Sequence, residues 1–377
     1  MTVIAGYARS PFTPARKGSL ARTRPDDIAA TVVDGLLQKL DLDPALIEDI
    51  IVGTAFPEGE QGFNLARMIT FLTKLPETVP GVTINRFCGS SMQAIHDAAG
   101  RVAMGAGDAF IAGGIESMSR IPMTGFNPMP NPKLSNDAPE AFTSMGVTAE
   151  NLAVKYGIDR STQEAFAVES HSRATGAREA GNFSEEIIPI ETKGGVVDTD
   201  GCIRPDTSAE TLAGLRPAFD AKGTVTAGTS SPLTDGAAFV LVCTEDFAKA
   251  HGLKPLARIL STAVSGCAPE IMGIGPVEAT NKALARAGLT LNDMDVIELN
   301  EAFSAQSLAV IEELGLDTSK VNIDGGAIAL GHPLGASGAR ITGKAASLLQ
   351  RSGAKHALAT MCVGGGQGIA TVLQKYE

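Results

Sequence analysis

Apolar residues recur along the chain with two periods. Val3-Ile4-Ala5 within Val3–Ala8, Ile50-Ile51-Val52, Ala109-Phe110-Ile111-Ala112 and Ala238–Cys243 are short continuous apolar runs, the length of strands buried on both faces. Between them the spacing becomes helical. Pro25-Asp26-Asp27 opens a helix with Ile28, Val32, Leu36 and Leu40 on one face; an early Pro and first-turn acids are start signals. Further helices are expected near Asn64–Leu72, over Met92, Ile95, Ala99 and Val102, and at Thr148–Tyr156 and Thr162–Ala180. Gly113-Gly114 is expected to end the strand at Ala109–Ala112. Strands alternating with helices point to an α/β fold.

The last third of the chain repeats the first. Leu289 through Val296-Ile297-Glu298-Leu299 echoes Leu42 through Ile50-Ile51-Val52, and Gly353–Thr360 echoes Gly107–Gly113, both at an offset of roughly 247 positions. Two similar α/β halves are therefore expected. The segment after Ser117 breaks the pattern, since Met118–Asp137 is rich in Pro, Met and Asn. The division that follows is a first half over residues 1–117, an insertion over 118–233, a return to the first half over 234–253, and a second half over 254–377. Long excursions from a compact sheet are usually functional.

Composition narrows the class. The 377 residues carry 44% hydrophobic residues, and no apolar run is long enough to span a bilayer. A net charge of −11 argues against nucleic acid as a partner. Five cysteines without a CxxC pair suit neither a disulfide framework nor zinc, and no metal-ligand cluster is visible. Arg9, Arg16, Lys17, Arg22 and Arg24 precede the first acid, a feature of transit peptides, but Val3-Ile4-Ala5 already reads as a strand. The C-terminal Gln374-Lys375-Tyr376-Glu377 is no peroxisomal signal, and the cytoplasm is the expected location.

Four stretches carry candidate chemistry. In Val82–Gln93, Cys88 stands where a strand ends and a helix begins. The first amides of a helix lack partners and its dipole favours negative charge, so a thiol there should ionise more easily than a free one. The plain alternative is a small residue plugging the junction. Asn300-Glu301-Ala302-Phe303, Gly325–Gly338 and Cys362–Gly368 follow predicted strands of the second half. Asn300 could be a helix N-cap and His332 a satisfied core histidine. The glycines after Cys362 could form a tight turn, and they do not fit GxGxxG spacing. Together the stretches make a workable acyl-transfer site. Cys88 serves as nucleophile, His332 as the best-placed of five histidines to act as base, and Cys362 as a second proton-carrying thiol. The amide at Gly364 can point at an oxyanion, and Asn300 can hold a water or polar group.

Asn85-Arg86-Phe87-Cys88-Gly89-Ser90-Ser91, Asn300-Glu301-Ala302-Phe303, Gly325-Gly326-Ala327 through Gly331-His332-Pro333, and Cys362-Val363-Gly364-Gly365-Gly366 resemble the signature blocks of the thiolases, in order and spacing through the whole chain. The resemblance implies a thiolase-like five-layered α-β-α-β-α fold of two similar halves with an inserted loop domain. It implies an acyl-carrying Cys88, activated by His332, which also donates to a first oxyanion hole where Asn300 holds a water. Cys362 would act as acid and base toward the acetyl-CoA enolate and CoA, and the amides of Cys88 and Gly364 would form a second hole. Coenzyme A is implied as co-substrate, with no permanently bound cofactor. Arg204, Phe219, Ala227 and Ser231 would bind it, with Met145 and Phe303 lining the pantetheine end.

Gly62-Phe63-Asn64 and Ser90 through Ala98 resemble the bacterial degradative 3-ketoacyl-CoA thiolases, and Ser144-Met145-Gly146 departs from the biosynthetic pattern, which usually has His before that Met. Thiolytic degradation, in fatty-acid β-oxidation, is the favoured reading. The alternatives are a biosynthetic acetoacetyl-CoA thiolase and a non-catalytic acyl-CoA-binding relative. The resemblance further implies a homodimer or homotetramer, paired through the edges of the strand at Ala109–Ala112 and neighbouring loops. The degradative reading leaves room for a hydratase/dehydrogenase partner, although no sequence feature demonstrates one.

Overall fold

The computed structural model describes residues 1–377. Its main sheet has ten strands. Nine lie in one path: Val296–Leu299, His356–Val363, Gln367–Lys375, Ala257–Gly266, Thr2–Arg9, Thr234–Thr244, Ala109–Ser117, Asp49–Gly53 and Gly81–Ile84. The two-residue strand Thr13–Pro14 adds to Thr234–Thr244. Only two residue pairs, Val3 with Arg258 and Ile4 with Ala257, join the two halves of this path. The sheet is thus two sheets sharing a narrow seam.

The repeat read from sequence holds pair by pair. In the first half Asp49–Gly53 runs parallel to Phe110–Gly114, with Asp49 opposite Phe110. In the second, Val296–Leu299 runs parallel to Ala357–Thr360, with Val296 opposite Ala357, an offset of 247 for both partners. The outer strand Gly81–Ile84 has only a remnant in the second half, a single bridge between Ile297 and Val321.

Helices Ser90–Ala103 and Leu334–Ser352 pack on each other between the two sheets. Helix Pro25–Lys39 covers the first sheet and Gly275–Ala287 the second, completing five α-β-α-β-α layers. The central pair explains its own composition. Helix Leu334–Ser352 is buried along nearly its whole length, as a helix flanked on all sides must be. Its glycines permit this: a Cβ at Gly338 would sit 2.4 Å from the Met92 amide nitrogen, and one at Gly343 would sit 2.2 Å from the Tyr7 ring. The largest apolar cluster lies in this layer and joins Ile51, Met92 and Phe110 of one half to Leu334, Ile341 and Met361 of the other.

Two expectations are corrected. Gly113-Gly114 does not end its strand, which runs on to Ser117 in register with Asp235–Cys243. The glycines are there for close approach, since a Cβ at Gly114 would lie 2.2 Å from the carbonyl oxygen of Gly335. The strand containing Ala109–Ala112 also has no free edge, because it is hydrogen-bonded to Asp49–Gly53 on one side and Thr234–Thr244 on the other. The free edge of that half is Gly81–Ile84, half-exposed at all four positions.

The insertion contributes helices Met145–Tyr156 and Arg160–Glu179 and a small hairpin, Ile190–Thr192 with Gly195–Val197. Buried charges tie it to the core. Arg9 pairs with Glu186 at 2.8 Å and Asp200 at 2.7 Å, and Lys344 of the central helix reaches Glu186 at 3.0 Å. Removing one member would strand a buried charge, at about 3–5 kcal/mol.

Candidate active site

Cys88 sits on a sharp turn between strand Gly81–Ile84 and helix Ser90–Ala103. The preceding Phe87 has φ of 43°, a left-handed value that is strained for a bulky residue, at about 1–3 kcal/mol. The surroundings hold the turn. Asn85 Oδ1 accepts from the Phe87 amide at 2.7 Å, Ser90 Oγ accepts from the Arg86 amide at 2.9 Å and donates to the Phe87 carbonyl at 2.6 Å, and Asn85 Nδ2 anchors on the Ala55 carbonyl.

Cys88 is buried, and the backbone amides of Gly364 and of Cys88 itself lie near enough to favour its thiolate. The expectation that this thiol ionises more readily is not met. Burial pushes it up to about 12, and the nearby carboxyl of Glu116 adds to the rise; the two amides offset only part of it. At rest Cys88 is a thiol, and a neighbouring base must take its proton when it attacks.

His332 is also buried, and burial together with the positive charge of Arg340 lowers it to about 3. It is therefore neutral, the form a base requires. Its tautomer follows from its partners. Ser337 Oγ donates to the Pro333 carbonyl at 3.0 Å, so at 2.5 Å from His332 Nδ1 it accepts the Nδ1 proton. This puts the lone pair on Nε2, where it accepts from Asn300 Nδ2 at 3.4 Å. Gly331, at φ 101°, delivers His332 to this spot; a Cβ there would strike Thr234, whose hydroxyl accepts from the His332 amide.

Asn300 is fully buried and does not cap the following helix, which starts at Ser304 with Phe303 at the cap position. Its Oδ1 has no donor from the protein. Its neighbour Glu301 faces away from the chemistry and accepts from Ser170, Asn322 and the Ile328 amide, clamping the insertion to the second half. Gly326 has to be glycine for that, because a Cβ there would lie 2.0 Å from the Glu301 carboxyl carbon.

Cys362 is buried near the end of strand His356–Val363. Burial, with Cys88 next in weight, pushes its thiol well above the usual range. The Cys88 turn packs on the end of this strand, where a Cβ at Gly89 would lie 2.8 Å from Val363. Gly364 follows in the hairpin turn to Gln367–Lys375, and Gly365 and Gly366 both have φ of 77°, which glycine adopts without strain.

Of the positions expected to bind coenzyme A, most form one wall. Met145 and Phe303 pack in the apolar cluster that contains Cys362. Phe219 meets Phe303 edge-on with ring centroids 5.7 Å apart and lies over Gly146. Ser231 donates its amide to the Ala302 carbonyl, and Ala227 opens the short turn just before it. Arg204 stands apart, with an exposed side chain, and no ion pair or side-chain hydrogen bond ties it to this wall. Its backbone is held by His171 Nδ1, which accepts the Arg204 amide at 3.1 Å.

Sequence reasoning missed several residues. Glu116, buried among both halves, accepts from the Ala55 amide at 2.7 Å, Gln61 at 2.7 Å and the Gly335 amide at 2.8 Å. Ser337 and Thr234 were likewise unremarked; a hydroxyl five residues after His332 was the one signal available.

Two similar halves, one carrying buried Cys88 and the other buried Cys362 and a buried Asn300–His332 pair, define a class. The chain belongs to the thiolase family: the profile described as Thiolase, N-terminal domain, matches residues 2–246, and Thiolase, C-terminal domain, matches residues 253–375. It is 48% identical over 385 residues to a 3-ketoacyl-CoA thiolase of Bacillus subtilis (strain 168), covering 99% of this chain and 98% of that one. It is 50% identical over 383 residues to a 3-ketoacyl-CoA thiolase of Shewanella sp. (strain MR-7), covering 99% of each. Human mitochondrial 3-ketoacyl-CoA thiolase superposes with a TM-score of 0.93 at 39% identity, over 100% of this chain and 99% of that one. The same human enzyme in complex with CoA gives 0.92 at 40% identity, over 100% and 98%.

Proposed function

We propose that this chain cleaves 3-ketoacyl-CoA by thiolysis, yielding acetyl-CoA and a shortened acyl-CoA, and that it works in the degradative direction. The observation that supports the reading is the packing of the buried Cys88 turn of one half on the Cys362–Gly364 segment of the other, where a Cβ at Gly89 would lie 2.8 Å from Val363 and one at Gly364 3.2 Å from the Phe87 ring. Cys88 attacks the C3 ketone while its proton passes to His332 Nε2. The imidazolium so formed now has an N–H on Nε2 that it can donate to an oxyanion. The C2–C3 bond then breaks, the acyl group stays on Cys88 as a thioester, and the acetyl-CoA enolate takes a proton from Cys362. An Asn300-held water and His332 stabilise that enolate, and the amides of Cys88 and Gly364 hold the thioester oxygen. In the second half-reaction Cys362 takes the proton of incoming CoA, CoA sulfur attacks the thioester, and the Cys88 thiolate recovers its proton from His332. Splitting the transfer in this way replaces one difficult step with two easier ones.

Coenzyme A is the co-substrate in this reading, against the wall of Met145, Phe219, Ala227, Ser231 and Phe303, with Arg204 meeting its phosphates. The insertion, residues 118–233, serves as the CoA-binding loop domain. A human relative solved in complex with CoA supports coenzyme A as the ligand. No helix of the chain is long and apolar enough to cross a membrane, and the cytoplasm remains the proposed location. The protein is proposed to be a homodimer paired through the free edge Gly81–Ile84, near which Phe71 and Leu72 are exposed.

A thiolysis assay across 3-ketoacyl-CoA chain lengths, with CoA titrated, tests the reading. Turnover of substrates longer than four carbons is expected. Activity on the four-carbon substrate alone would favour the biosynthetic role, and folded protein inactive at every length would reject catalysis.

A further inference from the structure

The Gly364 turn belongs to the second half, yet its amide must meet a sulfur on a turn of the first. A chain of side chains spans that boundary. Arg86, two residues before Cys88, donates from Nη1 to Gln367 Oε1 at 2.9 Å. Gln367 Nε2 donates in turn to the Gly364 carbonyl at 3.0 Å. The other end of the guanidinium is fixed as well, with Nε donating to Gln93 Oε1 at 2.7 Å, and Gln93 Nε2 donating to Asp97 Oδ1 at 2.7 Å. Arginine can only donate, so the Gln367 oxygen must face Arg86 and its NH2 must face Gly364.

The turn needs such a restraint. Gly364, Gly365 and Gly366 have no side chains to limit their peptide planes, and two of them already sit at φ of 77°. The ladder fixes the ends of the hairpin, at Val363 with Gln367 and Cys362 with Gly368, and the Cys267 amide donates to the Gly366 carbonyl at 2.7 Å, which leaves the Gly364 peptide to be held by Gln367. A Cβ at Gly364 would lie 3.2 Å from the Phe87 ring, so small shifts of the tip change how it meets the nucleophile turn. We propose that Arg86 and Gln367 are positioning residues that hold the Gly364 amide against Cys88 across the boundary between the halves. Neither touches the reacting atoms; both act through the amide. The inference rests on the thiolysis reading and adds to it the origin of the amide's alignment.

A double-mutant cycle tests it, with Arg86→Met, Gln367→Met and the double variant. Each single variant should lower kcat about tenfold or more, short of the full loss of an oxyanion donor. KM for CoA should stay within about twofold, because ground-state binding is untouched. The double variant should be no worse than either single one, because both remove the same link. Single variants within about twofold of wild-type kcat, or losses that multiply in the double variant, would overturn the inference. Arg86→Lys and Gln367→Glu, which keep volume, carry the same cycle if the Met variants fail to fold; Gln367→Glu at wild-type kcat overturns the inference as well. Inactive wild type would instead defeat the thiolysis reading itself.

Discussion

The hydroxyl of Ser337 lies 2.5 Å from Nδ1 of His332 and gives its own proton to the carbonyl of Pro333. One serine therefore decides which ring nitrogen is free to act as base. Without it, Nδ1 loses its acceptor and both tautomers become accessible. Ser337→Ala is expected to lower kcat about tenfold or more, below the hundred- to ten-thousandfold for losing the base itself. Nitrogen chemical shifts of His332 should show the Nδ1–H tautomer in the wild type and a mixture in the variant. An unchanged tautomer with unchanged kcat would show that Ser337 only fills space.

The depressed His332 value sets the acid limb of the first half-reaction. A free imidazole loses its base form below about pH 6.5. His332, held near about 3, keeps it. Acyl-enzyme formation, followed by rapid mixing, should stay flat from about pH 7.5 down to about pH 5. A midpoint near 6.5 would mean that the imidazole is solvated rather than buried. The same depression has a stability cost of known sign. As pH falls through that window the unfolded chain takes up a proton that the folded chain does not, so His332 weakens the fold by at most about 1.4 kcal/mol per pH unit.

Gly114 and Gly100 should respond in opposite ways to the same change. An added Cβ at Gly114 would lie 2.2 Å from the Gly335 carbonyl oxygen and 2.5 Å from that of Gly53, both backbone atoms that cannot swing aside. Gly114→Ala is expected to destabilise by about 1–3 kcal/mol or more and to lower activity, because Gly335 lies just past His332. Gly100 is exposed in helix Ser90–Ala103 with nothing near its Cβ position. Gly100→Ala should stabilise by about 0.5–1 kcal/mol. Urea midpoints at constant slope read both.

Much of this was open to sequence reading, for a local reason. Cys88 and Cys362 lie beside glycines at strand ends and His332 follows Gly331 between two helices, so turn chemistry marks all three. The repeat, too, is a comparison along one chain. What could not be read was tertiary. The Cys88 thiol was expected to fall because a helix start is visible locally; it rises because burial is not. Glycines 113 and 114 looked like a strand end because the neighbours that need them small are distant in sequence: Ala238 and Phe239 for Gly113, and Gly335, 221 positions on, for Gly114. Arg86 and Gln367, 281 apart, carry no mark that either needs the other.

The free edge Gly81–Ile84 makes an assembly prediction. A half-exposed strand with unpaired backbone groups invites another strand. Phe71 is 56% exposed on the helix next to it. Light scattering should find at least a dimer, and Phe71→Asp, a surface change, should shift it toward monomer with little loss of the secondary-structure signal. A wild-type monomer with full activity at assay concentration would remove the edge from consideration.

The last prediction separates the two thiols. Cys362→Ala leaves Cys88 on its turn beside the Gly364 amide, so an acylating substrate analogue should still label Cys88, through His332. Turnover should nevertheless collapse, since no group remains to protonate the enolate or to deprotonate incoming CoA. Loss of a positioned acid/base group costs about a hundred- to ten-thousandfold, and here one group serves both half-reactions. If Cys362 were merely a small residue ahead of a glycine turn, alanine would fit the same space and kcat would hardly change. The measurement is kcat for thiolysis together with Cys88 labelling on the same sample. Retained labelling with kcat within about tenfold of wild type would remove Cys362 from the proton path and leave its burial beside Cys88 a matter of packing.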